Sequence, residues 1–381
     1  MSSKSFTARI IGALVAAGLG WTSLWGISRG ITLVKNHYLA DDSTQSQVAA
    51  SAESQVKTSV TSEVSSKDRD TSSNAPTNNG ATKNAAPSPA TAPTTMTVIF
   101  GGDVMFDRGV RRLGDSVGYD TLFAEISPLF RRSDVTVVNL EGPITSNPSK
   151  TLKANGSTAQ ELTFTFATST ADVLARIGIT AVSLANNHTS NFGIDGFNET
   201  TRWLDNAGIY WFGDPWNNGG DEWRTCSKDK NICLDFVGYH QFATGFDHIL
   251  ADITRLHATG DFVVVIPHWG DEYKASSTPL MKKQAVQMVA AGANLVVGSH
   301  PHVEIGHEWI EGTPVFYSLG NLLFDQYFSA ATMKGAVLEV TLGKDSGPAH
   351  ITSIHEYTAS TASKKGITID LDHFRDVEIL K

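Results

Sequence analysis

From about residue 96 onward the chain predicts an α/β domain, and two observations carry this. Short apolar runs of strand length alternate with stretches of helical periodicity, the pattern of parallel strands joined by helices. Five of those runs also stop at a carboxylate, an amide or an imidazole. In open α/β sheets such strand ends are where ligands are held.

The chain before residue 96 has a different character. Residues 10–28, IIGALVAAGLGWTSLWGIS, contain no charge, while Lys4 and Arg9 precede them and Arg29 and Lys35 follow. A helix of this length spans roughly 28 Å, about one bilayer core. A cleavable signal peptide would carry an apolar region of only about 7–15 residues and then a small-x-small site. Tyr38-Leu39-Ala40 fits that site poorly, so residues 1–40 are expected to be a retained, single-pass signal-anchor. Residues 41–95 are Ser, Thr, Ala, Asn, Gln and Pro with scattered charges and no aromatic, Leu or Ile. Such a segment cannot bury enough apolar surface to offset its ordering entropy, and it reads as a disordered tether. A bilayer segment followed by a long polar tether implies a cell-membrane protein whose folded domain, residues 96–381, stands on the extracytoplasmic side.

The formal net charge is −9 with no Lys/Arg block, which argues against a nucleic-acid surface. The only two cysteines, Cys226 and Cys233, flank a polar hexapeptide that resembles a hairpin tip. They would pair in a secreted chain and stay as free thiols in a cytosolic one. Two are too few for a structural zinc site, which takes about four ligands.

Within the domain, strands are expected at 96–101, 135–140, 179–184, 209–212, 232–238, 262–266, 294–298, 314–319 and 335–341. Helices are expected at 120–130, 169–177, 196–207, 246–258 and 278–291. The first strand ends in Gly102-Asp103 and the second in Asn139-Leu140-Glu141, whose first and third residues share a strand face. The third ends in Asn186-Asn187-His188, the strand 262–266 in Pro267-His268, and the strand 294–298 in Ser299-His300-Pro301-His302. Singly, each has an ordinary reading: a helix cap for Asp103, a turn for Asn187 or for Glu141-Gly142-Pro143. Together they form a carboxylate, amide and imidazole set suited to Mn²⁺, Fe²⁺ or Zn²⁺, with enough ligands for one or two ions. Arg108 could meet an anionic substrate group or pair with Asp107. Trp269, Tyr273, Trp309 and Gly320-Asn321 are candidate pocket walls, with core packing or a turn as the alternatives.

The ordered motifs GGDVMFDRG, VVNLEGPIT, SLANNHTSNFG, PHWGDEY, VGSHPHV and VFYSLGNLLFD resemble the CapA family of bacterial capsule and poly-γ-glutamate synthesis proteins, over about residues 96–326. That family is similar in turn to the calcineurin-like metallophosphatases. The resemblance implies a four-layer αββα sandwich with a two-metal site. It implies Asp103 and His302 on the first metal, Glu141 bridging, and Asn187, His268 and His300 on the second. His188 would act as general acid or orient the substrate. From their own places near the strand ends, Arg108, Asn139 and Asn321 are the expected substrate-binding groups. Two positions depart from the patterns: Met105 stands where the phosphatases carry a histidine, which leaves the first site short of a ligand, and Asn191 stands where many relatives carry an aspartate. The resemblance leaves two readings open. One is a metal-dependent hydrolase; the other is a non-catalytic component that binds an anionic envelope polymer or its precursor within a synthesis or export complex.

Overall fold

The computed structural model describes residues 95–151, 162–361 and 365–380. The expected anchor and nearly all of the tether lie outside the described residues, among which no helix is long and apolar enough to cross a membrane.

Two sheets form the frame. The first holds β1 (Thr95–Val104), β2 (Val135–Leu140), β3 (Ala181–Ser183) and β4 (Tyr210–Phe212) as neighbours in parallel. The second begins with β5 (Trp223–Ser227), β6 (Ile232–His240), β7 (Phe262–His268) and β8 (Leu295–Val297), and is completed by β9 (Glu304–Ile310) and β10 (Thr313–Leu319) in the order β5-β6-β7-β8-β10-β9. The chain then returns to the first sheet. β11 (Asn321–Leu323) pairs with the end of β1, and β12 (Lys334–Gly343) and β13 (His350–Ser360) extend the sheet beyond β1, followed by the short β14 (Thr368–Ile369) and β15 (Arg375–Asp376).

Alternation along the strands builds the layers. Met96, Val98 and Phe100 of β1 face the second sheet and pack with Leu234, Phe236, Val264, Ile266 and Phe316. Ile99, Val138 and Val182 face the other way, against helices that carry Leu122, Leu129, Leu174 and Leu204. Val237, Val263 and Val265 meet Ile253, Met281 and Met288 on the outer side of the second sheet. Helices therefore cover both outer faces. Strands buried on both faces read as unbroken apolar runs, which is why β2, β7 and β8 stand out in the sequence.

The helices are α1 (Arg108–Val117), α2 (Tyr119–Leu122), α3 (Ser127–Arg132), α4 (Thr170–Ile177), α5 (Gly193–Asn206), α6 (Phe246–His257) and α7 (Pro279–Ala291). Thr278 caps α7 by accepting from the Met281 N–H, with Pro279 in the first turn, where its missing N–H costs nothing. The expected helix 120–130 is instead two short helices, α2 and α3, with a turn between them; Pro128 starts the second, since a proline fits the first turn of a helix and not its interior. α1 was not expected, because only Val110 and Gly114 of its ten residues are buried. β5, β9 and β13 were also missed; polar residues interrupt them, and they lack the apolar run of a strand buried on both faces.

The hexapeptide between the cysteines is a hairpin tip: β5 and β6 are antiparallel, Cys226 lies opposite Cys233, and the two are disulfide-bonded. At Gly102 a Cβ would overlap the Gly320 carbonyl, to which the Asp103 N–H donates at 3.0 Å. The absence of a side chain there brings the ends of β1 and β10 together and sets Asp103 in place.

Candidate metal centre

The parallel strands deliver the expected polar residues to one region at their carboxy-terminal ends. Asp103, Glu141 and His302 are all buried, and one donor atom from each lies within 4.8 Å of the other two. Glu141 Oε1 has no hydrogen-bond partner although the residue is fully buried. It faces His302 Nε2 at 3.5 Å and His188 Nε2 at 3.9 Å. A buried, unpaired carboxylate oxygen is costly unless a cation completes it. Oxygen and imidazole donors around such an atom fit a divalent ion of the Mn²⁺, Fe²⁺ or Zn²⁺ class.

A second group of donors meets beside the first. His268 Nε2 is 2.9 Å from Asn187 Oδ1 and 3.0 Å from His300 Nδ1. The two groups are joined through Asp103 and Asn139. The His300 N–H donates to Asp103 Oδ2 at 3.2 Å, and Asn139 Nδ2 donates to Asp103 Oδ1 at 2.8 Å while lying 3.3 Å from His268 Nδ1.

Two amides in the loop after β3 do different work. Asn186 Nδ2 donates to the Leu140 carbonyl and to Asn139 Oδ1, and its Oδ1 accepts from the backbone N–H groups of His188 and Thr189 and from the Thr189 hydroxyl. It pins the loop to β2, so that Asn187 and His188 project toward the centre. Asn139 is buried with both ends of its amide engaged by protein groups, so it stands behind the donors and not on the open cavity. Asn321 is likewise buried, with its Oδ1 2.9 Å from His302 Nδ1.

The electrostatics divide the imidazoles. Burial pushes the Glu141 carboxyl well above the usual range; His302 opposes this and Asp103 adds to it. Burial works against a charged His302, but Glu141 and Asp103 overcome it and raise the imidazole to about 9. Protons are drawn to the place where a metal cation would sit. The other imidazoles stay neutral, the form that binds metals. Burial lowers His188 to about 4 and His300 to about 3, and takes His268 well below its ordinary value, with neighbouring histidines contributing.

The centre opens into a cavity of about 350 Å³ lined by Arg108, Phe164, Asn187, His188, Tyr273 and His302, with Glu272, Asp325, Gln326 and Phe328 among the others. Arg108 pairs with Asp325 and not with Asp107, and its guanidinium lies over the Phe164 and Phe324 rings at 5.0 and 5.5 Å. Asp107 is spent on the Thr165 N–H, on the hydroxyls of Ser149 and Thr151, and on capping α1. His188 stacks on Phe164 at 4.2 Å. Asn191 Oδ1 accepts from the Phe164 N–H at 2.7 Å, which identifies it as the oxygen, so His188 Nδ1, 3.3 Å away, presents a proton to it; the Leu162 backbone also hydrogen-bonds this imidazole.

Of the expected pocket walls, Tyr273 lines the cavity. Trp269 is core, packed on Tyr317 and donating to its carbonyl. Met105 is buried, and its sulfur accepts the Asp107 N–H at 2.9 Å. Four of the seven described non-glycine residues with positive φ are here: Arg108, Tyr273, His300 and His302. Such strain costs about 1–3 kcal/mol per residue and persists only where the surroundings enforce it. Phe164, Asp325 and Gln326 carry no sequence signal, and the doubled amide Asn186-Asn187 does not say which of the two faces the centre.

The fold and this centre define a two-sheet α/β protein with a buried carboxylate–histidine cluster of metal-ligand type, open to a cleft lined by Arg108 and aromatic side chains. The chain belongs to the bacterial capsule synthesis protein family PGA_cap, whose match covers residues 97–326. It is 29% identical over 308 residues to the capsule biosynthesis protein CapA of Bacillus anthracis, covering 74% of this chain and 71% of that one. It is 28% identical over 287 residues to the PGA biosynthesis protein CapA of Bacillus subtilis (strain 168), covering 70% and 74%. Among solved structures it is similar to the calcineurin-like phosphoesterase YfkN from Bacillus subtilis, with a TM-score of 0.42 and 14% identity over 72% of this chain and 93% of that one.

Because a metal must displace the proton held by His302, its apparent affinity rises with pH. Between pH 6 and 8, below the His302 value of about 9, the rise is about tenfold per unit if one proton leaves. Metal titration of the full-length protein at several pH values checks this, and a flat profile would place the metal elsewhere.

Proposed function

We propose that this protein is a membrane-anchored, extracytoplasmic component of capsule or poly-γ-glutamate synthesis, and that its centre is a metal-dependent hydrolase acting on an oxyanion-bearing group of the envelope polymer or its precursor. The observation that carries this is the unpartnered, fully buried Glu141 Oε1, set among Asp103, His302 and His188. The names of the CapA relatives support the pathway. The apolar segment 10–28 and the polar tether support the anchor. The Cys226–Cys233 disulfide supports an oxidising compartment outside the cytoplasm.

Asp103, Glu141 and His302 would hold one divalent ion, and Asn187, His268 and His300 a second. When bound, the metal supplies charge neutralisation for an oxyanion and acidifies water. The chain's own groups do the rest. Arg108 meets the anionic group from the cavity wall, its planar guanidinium held by Asp325 and two aromatic faces. His188 handles the proton. Its Nδ1 faces Asn191, so transfer at the substrate would run through Nε2, and the neutral imidazole takes a proton before it can return one. Asn139 and Asn321 position the donors from behind.

The second reading, a polymer-binding component without turnover, is favoured by Met105, which leaves the first metal one ligand short of the phosphatase pattern.

Full-length protein loaded with Mn²⁺, Zn²⁺ or Fe²⁺ is expected to hydrolyse phosphomonoesters or phosphodiesters. His188→Ala should lower kcat by about 10²–10⁴-fold with metal content unchanged. A fully metallated protein that turns over neither substrate yet retains poly-γ-glutamate would establish the binding reading instead. The anchor predicts that the full chain resists alkaline extraction from membranes; release into the soluble fraction would contradict it.

A further inference from the structure

We propose that the cleft over the metal donors takes an amphiphile, with one oxyanion head group at Arg108 and an apolar chain that leaves across an exposed rim of Leu162, Tyr273 and Phe328. This names a substrate class for the site described above and rests on that reading for the head group.

Exposed apolar side chains gather at the mouth of this cavity. Among the described residues eleven large apolar side chains are exposed, and three of them, Leu162 at 63%, Phe328 at 66% and Tyr273, line it. A fourth, Phe242, meets the His300 ring edge-on at 4.6 Å, beside the second group of donors. Scattered exposed apolar residues are ordinary, but several gathered round a cavity mark a surface that a ligand covers. The rim also continues into the interior. Phe328 packs edge-to-face on Tyr273 at 5.1 Å, Tyr273 stacks on His302 at 6.0 Å, and His302 meets Phe324 at 4.7 Å. Phe324 in turn lies under the Arg108 guanidinium. Tyr273 offers its ring to the ligand, because its phenol hydrogen-bonds Glu272 and accepts from Gln326 at 3.2 Å.

The charges favour one anion over many. Arg108 is the only lysine or arginine lining the cavity, and it faces the carboxylates of Asp325, its partner, and Glu272. A polymer with a carboxylate on every residue would bring its charges past those acids, and like charges so placed are costly. No cation stands on the rim to receive them. A single head group needs only Arg108 and the metal donors. At about 350 Å³ the cavity holds a phosphate-sized head and the first carbons attached to it, so a longer chain must leave over Leu162, Tyr273 and Phe328.

The test is calorimetric titration of the Mn²⁺-loaded full-length protein with ethyl-, butyl- and hexylphosphonate, whose carbon–phosphorus bond is not hydrolysed. Hexylphosphonate is expected to bind about tenfold more tightly than ethylphosphonate, roughly twofold for each methylene half-covered by the rim. In Leu162→Ser/Phe328→Ser that gain should fall to about threefold or less, with bound manganese unchanged. Phenylphosphonate, whose carbons stay close to the head, should bind more weakly than hexylphosphonate. Equal affinity along the alkyl series overturns the apolar contact and leaves the oxyanion reading standing. A gain that survives in the double variant, or a double variant that weakens every member equally, overturns the assignment of the rim. Phenylphosphonate matching hexylphosphonate overturns the chain in favour of a compact substituent, and a poly-γ-glutamate oligomer that binds more tightly than hexylphosphonate overturns the amphiphile. A manganese-loaded wild type that binds none of the phosphonates overturns the proposal together with the reading beneath it.

Discussion

Two carboxylates share a buried space at the end of the first sheet, and much of the surrounding structure answers to them. Asp103, near the end of β1, and Glu141, just past the end of the adjacent β2, are both buried, and one oxygen of Glu141 receives no hydrogen bond. Such a pair is tolerated only when a cation or protons balance it. The supports nearby fall into place on that account. Asn139 donates to Asp103, Asn186 holds Asn139 and the loop of His188, and the His300 backbone donates to Asp103. His300 and His302 adopt positive φ so that both side chains of a three-residue segment turn inward. None of these features would be needed if the strand ends were ordinary turns.

The frame was legible in the sequence because of how parallel strands are buried. A strand covered on both faces must be apolar along its length, so the first polar residue marks its end. That rule marked strand ends at Asp103, Asn139, His268 and Ser299, and Glu141 and His300 follow one or two residues beyond. It failed where burial is one-sided. β13 carries His350, Ser353, His355 and Glu356 among its apolar residues and offers no run to read. α1 rests on Val110 and Gly114 and has three arginines, so its core-facing side is hidden in a charged segment.

The second half of the site was illegible for a different reason. Tyr273, Gln326, Phe164 and Asp325 come from irregular segments with no period to reveal their direction. For Arg108 the sequence offered an anionic substrate group or a nearby acid such as Asp107; the acid it pairs with is Asp325, more than two hundred residues further on, because the segment after β11 passes the start of α1. Asn186 and Asn187 are adjacent and chemically identical, yet one is a brace and the other faces the donors. Only the direction of hydrogen bonds separates them. Those bonds also turn a set of candidate ligands into an ordered centre: carbonyls that can only accept fix the amides, and the amides fix the imidazoles.

The central claim is that the gap beside Glu141 is a cation site. Anomalous diffraction from crystals of the protein grown with Mn²⁺ tests it most directly. The account predicts a manganese peak bounded by Asp103, Glu141 and His302. Crystals that show no peak there, with Glu141 Oε1 closed off by a protein donor, would contradict it.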